Sequence, residues 1–290
     1  MDNPLTVTSY LSTSDTGTTP PSVPVDSRPG VGLLRRPTIR ALRYWLSIYR
    51  QTWQASLYVS VVNPLLYLGA LGLGLGTLVD RTGNSPIDGT RYLDFVAPAV
   101  LALHAMVTTT GECSFPVYRV IREGSAYRAA VATPLRPRDL LHGHLVFVAM
   151  RLTVNAVLFL TVMTALGAVK SPLALLALPA AVLTGLAFAA PIEAWTLAVR
   201  DMNALNYIFR FAMTPLMLFS ATFSPLSTMP EWLRAVAYAT PLWHGVSLCR
   251  MLSLGDPRPV TAVANVAYLT VFGLIGVALA RRGYERRLHV

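Results

Sequence analysis

The chain has 290 residues, of which 53% are hydrophobic and only 13% charged, with a mean hydropathy of +0.50 and a net charge of +10. A water-soluble domain carries about 25% charged residues, so this composition excludes a soluble fold and describes an integral membrane protein. The positive charge is no nucleic-acid footprint, because the arginines flank apolar stretches as they do in the cytoplasmic loops of membrane proteins. No nucleic-acid partner is expected.

Residues 1–33 are rich in Ser, Thr, Pro and Asp. Such a segment buries too little apolar area to offset its ordering entropy, and it reads as a disordered cytoplasmic tail. It lacks the basic stretch followed by an apolar run that marks a cleaved signal peptide. Over 34–55 the pattern changes. At 100° per residue Arg36, Arg40, Arg43 and Arg50 share one face, while Leu42, Trp45, Leu46, Tyr49 and Trp53 share the other. A basic face opposite a Trp/Tyr/Leu face predicts an amphipathic helix lying in the membrane interface, in contact with lipid. Pro37 is tolerated in its first turn.

Residues 56–290 form the transmembrane domain, with six spans. The first runs from about Leu57 to Leu78 and contains Asn63-Pro64 and a Gly-rich outer half. The second covers about Tyr92 to Pro116 and the third about Leu145 to Ala168. A tight turn at Val169–Pro172 leads to the fourth, about Leu173 to Trp195. The fifth covers about Tyr207 to Pro225, and the last about Val260 to Ala280. The expected fold is therefore all-α and integral to the membrane: six transmembrane helices, an N-terminal interfacial amphipathic helix, and re-entrant outer helices between spans five and six.

Those outer helices are read from the interval Tyr207–Met251, where an apolar stretch is broken at Pro215, Pro225, Pro230 and Pro241. A plain span of roughly 20 residues would not carry four prolines and a Glu231-Trp-Leu-Arg helix start. Non-helical backbone at membrane depth is tolerated only where protein or water covers it. This points to a transporter or channel wall rather than an anchor.

Orientation follows from the basic residues. Arg28, Arg35, Arg36, Arg40, Arg43, Arg50, Arg119, Arg122, Arg128, Arg136, Arg138, Arg151, Arg200, Arg210, Arg281, Arg282, Arg286 and Arg287 fall on one side of the six-span topology. Only Arg81, Arg91, Lys170, Arg234, Arg250 and Arg258 fall on the other. Both termini are then cytoplasmic, in the cytoplasmic (inner) membrane. Cys113 and Cys249 lie near opposite faces on this topology, so no disulfide joins them, and both read as small core residues.

Chemistry-bearing residues are sparse. A Walker A loop needs Gly-x-x-x-x-Gly-Lys-Ser/Thr, and the single lysine, Lys170, stands outside any such motif. The chain is therefore no ATPase by itself. Ion coupling leaves carboxylates inside spans. The candidates Asp94, Glu112 and Glu193 all lie near an interface, with Arg151 and Arg210 as candidate partners, and structural pairing explains them better than a proton relay. His142 and His144 without a third ligand are weak evidence for metal, and no metal site or catalytic residue is expected. The loop after span two is more informative. Its helix-forming stretch after Gly124-Ser125 carries Tyr127, Ala130 and Val131 on one side and is stopped by Thr133-Pro134-Leu135, with Arg122, Glu123 and Arg128 free to meet a soluble partner.

Four stretches together resemble the transmembrane subunit of type-2 ABC exporters, the ABC-2 permease family, from about residue 35 to 285. They are Tyr92-Leu-Asp-Phe-Val-Ala-Pro-Ala-Val-Leu-Ala; Arg122-Glu-Gly-Ser-Ala-Tyr-Arg-Ala-Ala-Val-Ala-Thr-Pro-Leu-Arg-Pro-Arg-Asp; Phe219 to Arg234; and Ala239-Thr-Pro-Leu-Trp-His-Gly-Val-Ser-Leu-Cys-Arg. Ala105-Met-Val-Thr-Thr-Thr-Gly-Glu and the run 183–190 are most similar to the nodulation-factor lipooligosaccharide exporter branch and its drug-exporting relatives. The resemblance implies a second copy of the chain, or a homologous permease, and cytoplasmic ATP-binding subunits that use ATP and Mg, with no cofactor bound by this chain. It also implies that Arg122, Glu123, Gly124, Tyr127, Arg128, Thr133, Pro134 and Leu135 couple to the ATPase, and that the amphipathic helix acts as a gate-like element. Substrates in the family are amphipathic: lipid-linked saccharides, lipooligosaccharides and hydrophobic drugs.

The expected function is thus the permease half of an ATP-driven exporter, with Met213, Met217, Phe219 and Phe223 as a candidate substrate path, since Met and aromatic side chains adapt to varied apolar ligands. The competing readings are a gradient-driven transporter using intramembrane carboxylates, and a membrane-embedded transferase.

Overall fold

The structure, a computed structural model, describes residues 36–81, 90–122 and 136–288. The N-terminal tail, the outer loop around 83–86 and the coupling residues from Glu123 to Leu135 lie outside the described residues. Every regular element among the described residues is helical.

Helix α1 runs Arg36–Leu68, a π-helical turn Gly69–Leu75 follows without a break, and α2 is Gly76–Arg81. The amphipathic stretch and the first span are therefore one continuous helical run rather than two elements. No residue between 54 and 60 breaks a helix, and Pro64 is carried inside α1. The second span is α3, Tyr92–Cys113, continued after a one-residue irregularity at Ser114 by α4, Phe115–Arg122. The third is α5, Pro137–Ala165. It starts at Pro137, with the Asp139 carboxylate accepting the Arg136 N–H at 3.2 Å, a cap that satisfies one orphan donor of the first turn. A 3-10 turn Pro172–Leu176 opens the fourth span, whose α-helix α6 is Ala177–Ala198. The last is α11, Pro259–Leu288.

Among the described residues five helices are thus long and apolar enough to cross a membrane: 60–80, 92–122, 137–165, 172–198 and 259–287. The expected fifth of six is shorter than its sequence boundaries. It consists of α7, Asn203–Tyr207, a π segment Ile208–Met213, and α8, Thr214–Phe219. The π register falls just before Pro215: the Thr214 hydroxyl donates to Phe209 O at 3.0 Å, and the proline has no N–H to extend an α ladder. Helicity stops at Phe219 because Ala221 adopts φ 55°, a conformation uncommon outside glycine. Two outer helices follow, α9 (Glu231–Tyr238) and α10 (Pro241–Leu254). The second begins with Thr240 accepting the Trp243 N–H at 3.3 Å and ends at Gly255 in the left-handed region, φ 78°.

Helix α3 is the centre of the bundle. Phe95 to Leu103 is buried through its whole length, against α5, α6 and α10. The most extensive helix pair is α6 with α11. It rests on small residues: a Cβ at Gly276 would collide with the Pro191 ring, and one at Gly273 would stand 3.3 Å from the Ala187 Cα. Close backbone approach through small residues is how helices associate where lipid supplies no hydrophobic drive. Outward faces of the first and last spans, with Leu65, Leu66, Leu78, Val263, Leu274 and Ile275, are exposed and apolar.

Each end of the bundle has its own charged fastening. At one end Tyr118 donates to Arg200 O at 2.9 Å, Arg122 to Val199 O at 3.0 Å and Arg287 to Leu197 O at 2.9 Å. The two arginines satisfy carbonyls at the C-terminus of α6, where the helix dipole favours cations, and the Tyr118 hydroxyl holds the residue just beyond. At the other end Asp94 pairs with Arg91 at 2.8 Å and Lys170 at 3.2 Å, and Arg91 also donates to Gly167 O at 2.7 Å. The Asp94 carboxylate, by hydrogen bond and then by charge, raises the Arg91 guanidinium above its usual pKa. Arg119, Arg122, Arg200 and Arg287 share one end while Arg91, Lys170 and Arg250 share the other, the partition expected from the basic residues.

Candidate functional site

At the arginine-rich end, α1, α3, α4 and α5 enclose a cavity of about 450 Å³. Its walls are Trp45 and Tyr49 of α1, Phe115 of α4 and Phe147 of α5, with Arg119 at the rim. The amphipathic helix is held there by close packing. A Cβ on Gly143 would stand 2.5 Å from the Ala41 Cβ, so only glycine lets α1 and α5 meet at this point. Trp45 is correspondingly buried, its ring centroid 4.2 Å from His144 and 5.9 Å from Phe147. Arg40, Arg43 and Arg50 on the opposite face are exposed. The two-faced pattern is as expected, but what Trp45 meets is protein rather than lipid.

The cavity carries one ion pair. Arg151 of α5 bonds Glu112 of α3 at 2.7 Å, and its guanidinium lies 4.8 Å from the Tyr49 ring centroid. One turn further along each helix the polar contacts continue: Ser60 donates to Asn155 Oδ1 at 2.7 Å, and Asn155 Nδ2 stands 3.5 Å from Thr108 Oγ1. Thr108/Glu112 on α3 and Arg151/Asn155 on α5 are each spaced i, i+4, so each pair projects from one helix face. The result is a polar seam running from the cavity toward the membrane interior between α1, α3 and α5. Sequence reasoning named Glu112 among the carboxylates and Arg151 among their candidate partners without pairing the two, and it missed Ser60, Thr108 and Asn155. The two matching i, i+4 spacings were the available signal.

Glu193 pairs differently. Its Oε1 accepts from Tyr284 Oη at 2.6 Å and stands 3.1 Å from His144 Nδ1, and Cys113 adjoins them; all four residues are fully buried. Arg210, offered above as a partner, is exposed. The candidate substrate-path residues differ in exposure. Met213 is buried with its sulfur 3.2 Å from Thr110 Oγ1, Met217 is half-buried and Phe219 exposed. Phe223 lies beyond α8, its carbonyl accepting from Tyr92, and none of the four lines the cavity. Of the coupling residues only Arg122 is described, fastened to the end of α6. Of the interfacial set, Arg36 begins α1.

A second cavity, of about 530 Å³, opens at the opposite end among Phe95, Tyr238, Trp243, Arg250 and Asp256. Arg250 holds the broken segment in place. Its Nε donates to Phe95 O at 3.2 Å and its Nη2 to Ala221 O at 3.0 Å, with the guanidinium 3.8 Å from the Phe95 ring centroid.

An apolar helical bundle with several membrane-crossing lengths, opposite charged collars and an amphipathic cavity defines a multi-pass membrane transport protein. The chain belongs to the ABC-2 type transporter family, which it matches over residues 40–253, and it is the membrane subunit of an ABC exporter rather than the ATPase. It is similar to Nodulation protein J of Rhizobium leguminosarum bv. trifolii, 29% identical over 251 residues (84% of this chain, 94% of the relative). Nodulation protein J of R. leguminosarum bv. viciae is 28% identical over 257 residues, 83% and 95% of the two chains. That of Sinorhizobium fredii is 26% identical over 251 residues, 84% and 94%.

Proposed function

We propose that this subunit exports an amphipathic molecule from the cytoplasmic membrane, driven by ATP that a separate cytoplasmic subunit hydrolyses with Mg. The class of substrate is a lipid-linked saccharide, a lipooligosaccharide or a hydrophobic drug. The observation that carries this reading is the cavity between α1 and α3–α5, within a chain of this family. Aromatic walls suit an apolar moiety, and Arg151, Glu112 and the polar seam behind them suit a polar head. On this reading the arginine-rich end is cytoplasmic, as are both termini. The interfacial stretch of α1 acts as the movable flank of the entry, and Met217 and Phe219 meet the apolar portion later in its path.

A second permease chain, identical or homologous, would cover the exposed faces of the first span and of Asn203–Phe219, which pack thinly on the rest of the chain. Helix α3, buried by its own neighbours, is not that interface. The stretch from Arg122 to Leu135 would dock the ATPase, with Arg122 tying the loop to α6 so that motion reaches the bundle.

The test is co-purification of the tagged chain from its native membrane in mild detergent, followed by an ATPase assay. A nucleotide-binding subunit in roughly equal amount, with vanadate-sensitive turnover, is expected. The double variant Tyr127→Ala/Arg128→Ala should stay in the membrane and lose export while partner turnover persists. A chain that emerges alone and without turnover, under conditions that keep other ABC complexes intact, refutes the reading.

A further inference from the structure

We infer that Cys113, His144 and Glu193 form a binding site for a soft-to-borderline divalent cation, with zinc as the best chemical match, which cross-links α3, α5 and α6. This inference is independent of which substrate is exported. One donor atom from each of the three side chains lies within 4.8 Å of the others, and all three residues are buried. A tetrahedral zinc ion takes sulfur at about 2.3 Å and nitrogen or oxygen at about 2.0–2.2 Å, so small side-chain adjustments bring three donors around one ion.

A second, independent observation points the same way. Glu193 Oε2 is buried with no hydrogen-bond partner, although buried polar atoms are nearly always satisfied. The other oxygen of the same carboxylate is already held. Tyr284 donates to Glu193 Oε1 at 2.6 Å, and His144 Nδ1 faces that same oxygen at 3.1 Å. Ligation through His144 Nδ1 and Glu193 Oε2 would leave the Tyr284 hydroxyl on Oε1, and a ligating carboxylate held by a further hydrogen bond is a usual outer-shell arrangement of zinc sites. Trp45 against the His144 ring completes an aromatic wall.

Thiolate, imidazole and carboxylate together exclude magnesium and calcium as preferred occupants, since those take oxygen ligands. Binding would release the Cys113 thiol proton, which makes occupancy pH-dependent. The site lies directly behind the cavity wall: Cys113 follows Glu112, and His144 supports Trp45. Its occupant would therefore brace the fixed side of the entry against α1.

The test uses the full-length chain purified with a tag that contains no histidine, stripped with a strong chelator, reloaded with zinc or cobalt and desalted. The expected results are one metal per chain by mass spectrometry and, with cobalt, an intense near-ultraviolet thiolate-to-metal band. Cys113→Ser should abolish the band, and His144→Gln should lower zinc affinity by at least 100-fold. Tyr284→Phe, which keeps all three ligands, should weaken binding roughly 10- to 100-fold. Cys249→Ser, at the other end of the bundle, should leave both readouts unchanged and serves as the folding control. A wild-type chain that retains no metal after reloading overturns the proposal, and so does a thiolate band that survives Cys113→Ser.

Discussion

The docking of α1 on α5 can be tested by a single methyl group. In Gly143→Ala the new Cβ would meet the Ala41 Cβ at 2.5 Å, the Thr38 carbonyl oxygen at 3.0 Å and the Leu42 nitrogen at 3.1 Å. Two of these three neighbours are backbone, so no rotamer change relieves them and α1 must shift as a body. Overpacking of a close interface costs ~1–3 kcal/mol, and the backbone contacts place this case in the upper half. About 2–3 kcal/mol corresponds to roughly 30- to 150-fold in the docked-to-undocked ratio of α1. Thr38, only 2% exposed, provides the probe. In a Thr38→Cys background, maleimide labelling in detergent should accelerate by that factor when Gly143→Ala is added. Gly111→Ala, whose Cβ meets nothing within 4 Å, should leave the rate unchanged. An equal labelling rate with and without Gly143→Ala would refute the close packing and, with it, the account of why Trp45 is buried.

The opposite end responds to Arg250→Met, which leaves the Phe95 and Ala221 carbonyls without their donor at ~1–3 kcal/mol for each that stays dry. In a Thr222→Cys background, a position fully buried beside the clamp, labelling from outside by an impermeant maleimide should rise, while Thr38→Cys labelling stays constant. The ion pair in the cavity predicts a double-mutant cycle. Glu112→Arg and Arg151→Glu should each lower export, and the reversed pair should recover part of it, with a coupling of about 0.5–3 kcal/mol; strictly additive losses would remove the pair from the mechanism. Reconstituted with its ATPase, the wild-type chain should export in the presence of a protonophore. Export that stops on dissipating the proton gradient, and stops again in Glu112→Gln, would favour the gradient-driven reading.

Much of the architecture was legible because membrane proteins write it in composition. Pro137, Pro172, Pro241 and Pro259 stand at or next to helix starts, and the arginine partition agrees with which loops share an end. Two boundaries were not legible. The change from amphipathic to apolar near residue 55 alters what α1 faces, yet nothing there interrupts its hydrogen-bond ladder, so one helix serves both environments. The fifth span is cut short by a carbonyl clamp from Arg250, a contact between residues 29 apart that no local pattern announces. The cluster around Glu193 was hidden for the same reason. Cys113, His144, Glu193 and Tyr284 each stand alone in sequence, on α3, α5, α6 and α11, and only the helix packing brings them together.

The distribution of packing separates a fixed part of the molecule from a movable one. Helices α3, α5, α6, α10 and α11 are joined by small-residue contacts, by arginine caps at one end and by the Asp94 pairs and the Arg250 clamp at the other. The first span and Asn203–Phe219 lack such fastening over most of their lengths, and both π segments of the described chain fall on these two elements. A π turn spreads one extra residue over its hydrogen-bond ring and is frequent at functional sites. Its return to α register would rotate the helix beyond it. An exporter must open a path for a bulky amphipathic molecule without dissolving its core. The weakly fastened elements, with their exposed apolar faces, are where that opening costs least.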